Sequence, residues 1–334
     1  MMTTRRWLAA LGAFFLVAGA ARAEVSEVRF AQQFSLAFLQ FNVMKQQQLL
    51  EKHAAALGIP NLKVTFATFN GPDMMNDALL SGNVDIVSGG VPGLITLWAK
   101  VWGTPQEVRG VAALSHNIAL LTSRNPNVRT IRDFTDADKI ALPAVKVSFQ
   151  ALILEMAAAK EWGDAQYDRL DRLTVTMSPP DSTTGLLAGN AGFNAAFTVP
   201  PFQDLQLRDP AVHTVLDSSQ ITGKGTTSVF WTSKKFHDAN PTVFRAILAA
   251  LKEANEFIAA NRREAVGYFV KDSRSPMKLD DIVAVFDDGR NGYDIVPRGT
   301  MAFADFMHRV GRIRVAPTSW KDLFFSDIHD WPGG

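Results

Sequence analysis

Short β-rich runs alternate with helical patterns along most of this chain, and that alternation restricts its fold more than any other property. It is the signature of an α/β fold with mainly parallel sheets, because a parallel strand can be reached only through a crossover helix. The first block has β-rich runs at 28–31, 63–67, 84–87 and 108–113. Between the first two, Phe41, Met44, Leu49 and Leu50 have helical spacing, which predicts a helix over 39–57 ended by Gly58 and Pro60. Asp73 can cap a second helix reaching Leu80, and a third is expected from Pro92 to Val101.

A second block repeats the idea, with β-rich runs at 118–122, 139–142, 173–176 and 193–198 and helices expected at 148–162, 181–187 and 201–207. Runs at 212–216 and 228–233 then return the chain. Asn240-Pro241 opens a long helix reaching about Ala260, with apolar Val243, Phe244, Ile247, Leu248, Leu251 and Phe257 on one stripe. At 334 residues the chain exceeds what one core usually serves. Two lobes are therefore expected, residues 24–114 plus 215–334 forming the first and 115–214 the second. The crossings near Ser115 and Asp217 would form a hinge.

Residues 1–23 differ from the rest. Arg5 and Arg6 precede an apolar run from Trp7 to Ala20, and Ala21-Arg22-Ala23 supplies the small residues that signal peptidase accepts. Cleavage after Ala23 and a periplasmic location are expected, with the Sec and twin-arginine routes both open. The absence of cysteine leaves stability to packing, and removes thiol nucleophiles and thiolate metal sites. Basic and acidic side chains number 34 and 33, and 47% of residues are hydrophobic, so no basic field is offered to nucleic acid.

Motifs for catalysis are missing. No Gly-x-Ser-x-Gly elbow or His-Glu-x-x-His pair occurs, and the six histidines have no metal-ligand spacing. Gly223-Lys224-Gly225 lacks the upstream glycine of a phosphate loop and reads as a turn. What remains is a series of turns at strand ends, where open α/β sheets bind ligands. Gln32-Gln33-Phe34-Ser35 follows the first strand, Asn70-Gly71 the second and Ser88-Gly89-Gly90 the third. The last could bind an oxyanion through backbone N–H groups at a helix start. In the second block Lys146 could face an anionic ligand, Ser148 could cap a helix beside it, and Thr198 and Phe202 close a later strand. Phe34, Phe149, Phe202 and Trp231 are candidate ring contacts, and Thr227, ahead of the 228–233 run, completes the ligand-binding set.

Leu80-Ser81-Gly82-Asn83-Val84-Asp85-Ile86 leading into Ser88-Gly89-Gly90, and Ala188-Gly189-Asn190 with Phe193-Asn194-Ala195-Ala196 leading into Thr198-Val199-Pro200-Pro201-Phe202, resemble the SsuA/TauA-like periplasmic binding proteins. Phe236-His237-Asp238-Ala239-Asn240-Pro241 is similar to that family's entry to its long helix, and Ser319-Trp320-Lys321-Asp322-Leu323-Phe324-Phe325 to the tail of one subgroup. The resemblance covers essentially the whole chain after residue 23. It implies a two-lobed type II binding fold that closes on its ligand and docks on an ABC permease, as a monomer without a cofactor. Its ligand would be a small organic anion or a sulfur- or nitrogen-containing nutrient of the sulfonate, taurine or nitrate class. Where the family places a Gly/Ser/Thr-rich anion loop, this chain reads Ala144-Val145-Lys146-Val147-Ser148, which leaves room for a larger pyrimidine or aromatic carboxylate. Two further alternatives are a ligand sensor for a membrane signalling receptor and an exported enzyme on the same fold. The pyrimidine-forming enzymes of this fold rely on cysteines that this chain lacks.

Overall fold

The computed structural model describes residues 24–273 and 277–334. The leader expected at 1–23 lies outside them. Strands of the first block are β1 (Glu27–Gln33), β2 (Lys63–Phe69), β3 (Ile86–Gly90) and β4 (Val108–Asn117). They are followed by β5 (Leu120–Ser123), β6 (Ile140–Leu142), β7 (Thr174–Thr176), β8 (Ala195–Thr198) and β9 (His213–Asp217), then by β10 (Ser228–Ser233) and β11 (Asn291–Tyr293). The first sheet has the order β11-β4-β10-β3-β1-β2 and the second β7-β6-β8-β5-β9. Helices flank both, giving the expected two-lobed α/β architecture.

Both sheets are mixed, where the sequence suggests mainly parallel ones. β1 is parallel to β2 and β3, but β10 runs antiparallel to β3 and β4, and β11 to β4. In the second sheet β6 is parallel to β7 and β8, whereas β5 is antiparallel to β8 and β9. The reason lies in the connections between sheets. β4 passes into β5 through Ile118 and Ala119 alone, and β9 into β10 through residues 218–227, so β5 and β10 each enter their sheet from the other lobe and not through a β-α-β crossover.

The expected helix over 39–57 is broken in two, Leu39–Gln47 and Leu49–Ala56, by Gln48 at φ 52°. No glycine marks the break, and a left-handed glutamine is uncommon. The long helix forms as Pro241–Ala260 and buries Val243, Phe244, Ile247, Leu251 and Ile258, while Leu248 and Phe257 stay partly exposed. Each such side chain contributes roughly 1.5–3 kcal/mol when fully buried. One apolar cluster holds this helix to Phe30, Phe41 and Phe230 of the first lobe. A second runs from Val87 and Trp98 through Phe303 and Phe306 to Leu152 and Phe197, so the carboxyl-terminal helix Met301–Arg309 packs against both lobes. The tail returns to the first sheet, where Phe325 N donates to Gly110 O at 3.0 Å.

A candidate ligand cleft between the lobes

A cavity of about 40 Å³ lies outside the carboxyl ends of β1, β3, β6 and β8, the place where strand-end turns of both sheets converge. From the first lobe it is bounded by the stretch after β1, by Pro72, by Gly90 and by Asn117. The second lobe supplies Pro143, Ser148, Phe149, Gln150, Pro179 and Val199. The volume would admit only a few waters, and the walls touch around it. A Cβ added at Gly90 would lie 2.7 Å from the Cβ of Phe149, and one at Gly71 would lie 2.6 Å from the carbonyl oxygen of Pro143. These two glycines let the backbones of opposite lobes approach to contact. Ser35 Oγ and Leu36 N both donate across the gap to the carbonyl of Pro200, at 3.3 and 3.2 Å. The lobes are therefore closed on each other.

Of the expected ligand residues, Phe34, Ser35, Gly90, Ser148, Phe149 and Thr227 line this cavity. Ser148 caps the helix Phe149–Trp162 by accepting from Ala151 N at 3.2 Å, as the sequence suggests, and donates to Ala144 O at 2.8 Å. Thr227 accepts from Asn117 N at 3.0 Å.

The others lie elsewhere. Ser88 and Gly89 do not form a helix-start anion nest, because the strand continues to Gly90 and pairs with β10. Ser88 is fully buried and its hydroxyl donates to Ala31 O at 3.1 Å, fastening β3 to β1. Gly89 lies beneath the indole of Trp231, a buried core ring whose Nε1 donates to Asn76 Oδ1 at 3.1 Å. Lys146 is exposed at φ 67°, away from the cavity and beside Asp171 and Arg172. Asn70 is exposed and Gly71 contacts the opposite lobe without lining the cavity. Gln32 also lies off the cavity, its Oε1 buried without a partner. Thr198 donates to Gln206 Oε1 at 3.3 Å and Phe202 is core, so neither reaches the cleft.

Several residues that matter to the site carry no sequence signal. Gln203, fully buried on the helix Phe202–Gln206, accepts from Leu120 N and donates to Ile118 O, both at 2.8 Å, and so grips the first crossing. The second crossing is tied to the first where Ala119 N donates to Ser218 Oγ at 2.9 Å and Ser218 N to Ala119 O at 3.0 Å. Gln150, Asn117 and Ser228 join the lining. A glutamine in a helix or an asparagine at a strand end fits many surroundings, so only the tertiary arrangement reveals them.

Charged groups are paired outside the cavity lining. Arg290 pairs with Asp204 at 2.6 Å and Asp288 at 2.5 Å, while Arg208 reaches Asp281 at 3.0 Å. Burial raises the Asp204 carboxyl against the pull of Arg290, and burial lowers His116. Arg312, from the carboxyl-terminal segment, pairs with Glu155 of the second lobe. Burial pushes Glu155 up to about 7, with Arg312 acting the other way. Among the described residues no group of three or more acidic, histidine or cysteine side chains could hold a metal ion, and no helix is long and apolar enough to cross a membrane.

The alkanesulfonate-binding protein SsuA from Xanthomonas axonopodis pv. citri, solved with MOPS, is similar over 90% of this chain and 97% of its own, at 18% identity and a TM-score of 0.66. The periplasmic nitrate-binding protein NrtA from Synechocystis PCC 6803 matches over 90% of this chain and 84% of its own, at 17% identity and a TM-score of 0.68. SsuA from Escherichia coli, an aliphatic sulphonate binder, covers 89% and 98% at 19% identity and a TM-score of 0.62. Such identities speak for the fold, and these neighbours are solute-binding proteins, not enzymes. No curated protein sequence matches the chain. The profile of the NMT1-like family matches residues 21–269. The chain belongs to the NMT1-like family and shares the fold of the SsuA and NrtA binding proteins.

Proposed function

We propose that this protein is the periplasmic solute-binding component of an ABC importer, exported by the leader at 1–23, which takes up a small organic anion or a sulfur- or nitrogen-containing nutrient and delivers it to a membrane permease. The observation that carries the reading is the cavity at the strand ends of two lobes joined by two short crossings, the arrangement in which a rotation of one lobe opens and reseals a site. The lobe of the first sheet would move against that of the second about the crossings at 118–119 and 218–227, a few residues beyond the bounds at 114 and 214 that the sequence suggests, because β4 runs on to Asn117 and β9 to Asp217. Binding would use Phe34, Ser35, Gly90, Ser148, Phe149 and Thr227 of the sequence-derived set. The similarity to sulfonate- and nitrate-binding proteins supports the importer role.

A thermal-shift screen of the chain from residue 24, followed by small-angle scattering with and without each hit, tests this. A ligand that binds only the folded protein raises the melting temperature by mass action. A hit that also changes the radius of gyration is the expected result. Hits that leave the scattering unchanged, or none across sulfonates, nitrate, carboxylates, amides and amino acids, would count against capture by lobe closure.

A further inference from the structure

Resting on the binding-protein reading, we infer that the cleft is built for an uncharged, flat ligand carrying both N–H donors and a carbonyl acceptor, of the carboxamide, lactam or ureide class, and that it discriminates against organic anions.

No residue that lines the cavity is charged. An anion sealed there would lose its hydration without a counter-ion, and would need backbone N–H groups at helix starts instead. Most of those donors are missing or engaged; of the lining residues at helix starts, only Phe149 N and Gln150 N, which open the helix Phe149–Trp162, stay free, with no cationic side chain beside them in the lining. Three helices that begin at the cleft carry proline in the first turn: Pro72, Pro92 and the Pro179-Pro180 pair. Proline has no N–H. Val91 N, which precedes Pro92, donates to Thr227 O at 3.1 Å, and Asp181 N, after the proline pair, donates to Ser178 Oγ at 3.3 Å. In the short helical turn after β1, Leu36 N is taken by Pro200 O and Ala37 N by Ser35 Oγ.

What the walls leave open is amide chemistry. Asn117 is 3% exposed and its Oδ1 is buried without a partner. Its orientation is fixed by its neighbour: Asn291 Nδ2 donates to Val285 O at 2.8 Å, so Asn291 Oδ1 faces Asn117 and accepts from its Nδ2 at 2.8 Å. The Oδ1 of a residue that lines the cavity is thereby left unmet, at a cost of about 1–3 kcal/mol. Gln150, 5% exposed, makes no side-chain hydrogen bond among the described residues, so its carboxamide can give and take one bond each to a ligand amide edge. Phe34 supplies a part-exposed ring from the first lobe, suited to a flat molecule.

His116, Lys224 and Arg290 line an adjoining cavity of about 10 Å³ that shares Asn117 and Thr227 with the cleft. Arg290 is already held by two carboxylates, and burial favours the neutral form of His116. Lys224 is the remaining exposed cation there.

Isothermal titration with the matched pairs nicotinamide and nicotinate, and benzamide and benzoate, together with benzenesulfonate, taurine and nitrate, tests the inference. An amide should bind at least about tenfold tighter than its acid, with an affinity that holds between about 50 and 500 mM salt. Gln150→Leu should weaken the amide by about tenfold at a nearly unchanged melting temperature, and the near-isosteric Gln150→Glu should weaken it as much while lowering the melting temperature of the ligand-free protein, whereas Lys224→Ala should leave both intact. Tighter binding of an acid, sulfonate or nitrate, especially if salt or Lys224→Ala weakens it, would overturn the inference and uphold the solute-binding reading. Silence from every neutral probe also overturns it, and silence from all probes, charged and neutral, removes support from both.

Discussion

Arg312 encloses Glu155 from the far end of the chain: Nη1 donates to both carboxylate oxygens, and Nη2 donates to the carbonyl of Lys146. Their side chains are 11% and 1% exposed, so the carboxyl-terminal segment fastens itself to the second lobe through an ion pair almost out of water. Desolvation outweighs attraction here, since Glu155 is pushed up to about 7 from an ordinary value near 4.5.

The sign of the resulting pH dependence follows from linkage. Between those two values the folded protein holds a proton that the unfolded chain has released, so stability falls as pH rises through this window and levels off above about 7. The size is at most roughly 3 kcal/mol. Glu155→Gln should remove the slope, which denaturant melts of both proteins at a series of pH values from 4 to 8 would read. An unchanged slope in the variant would assign it to other groups. Arg312→Met, which strands the carboxylate, should cost more, about 3–5 kcal/mol at pH 8.

Gly90→Ala should hold the lobes apart. The backbone at Gly90 has φ −66°, which any residue adopts, so the only obstacle is the methyl group's clash with Phe149. Overpacking of this kind costs about 1–3 kcal/mol, here charged to the closed arrangement alone. Weaker ligand binding and a larger radius of gyration are expected, with the melting temperature of the ligand-free protein nearly constant.

Ser88→Ala separates a structural from a ligand role. The hydroxyl donates to Ala31 O within the sheet, so its loss should lower stability by about 1 kcal/mol and leave affinity for any ligand unchanged. An affinity loss at full stability would return Ser88 to the binding set.

Gln203→Leu should loosen the first crossing, since both Leu120 N and Ile118 O lose their partner. A cost of about 2–4 kcal/mol is expected, together with faster amide exchange at Leu120. Protection at Leu120 equal to that of the parent would contradict the role of Gln203.

Local pattern carries much of this fold. Ser228–Ser233 forms as a strand with the bounds its composition suggests, and Pro241–Ala260 begins at its proline. Both signals reside within a few residues of where they act. Failures occur where distant residues decide. Ser88-Gly89-Gly90 reads as a turn by composition, yet β10, some 140 residues later, extends the strand through it and Trp231 fills the space the glycine leaves. Asn291–Tyr293 contains turn-type residues and becomes a strand only because β4 offers an edge. The site follows the same division. Ser148 and Phe149 are legible because a helix cap and its first residue are local features, whereas Lys146 is turned outward and its carbonyl engaged by Arg312, a residue no local reasoning connects to it.

The paired crossings have a mechanical meaning. Since Ser218 bonds Ala119 through both backbone and side chain, and Thr227 bonds Asn117, the two segments form a narrow ribbon and not two independent threads. Coupled in this way, the crossings would bend together as one hinge, with the carboxyl-terminal contacts of Phe303 and Arg312 on the second lobe as a further link that any lobe motion must carry or break. Because the chain has no cysteine of its own, two can be introduced as label sites, one on each lobe, without removing any. An interlobe distance measured between them would then report whether the lobes part.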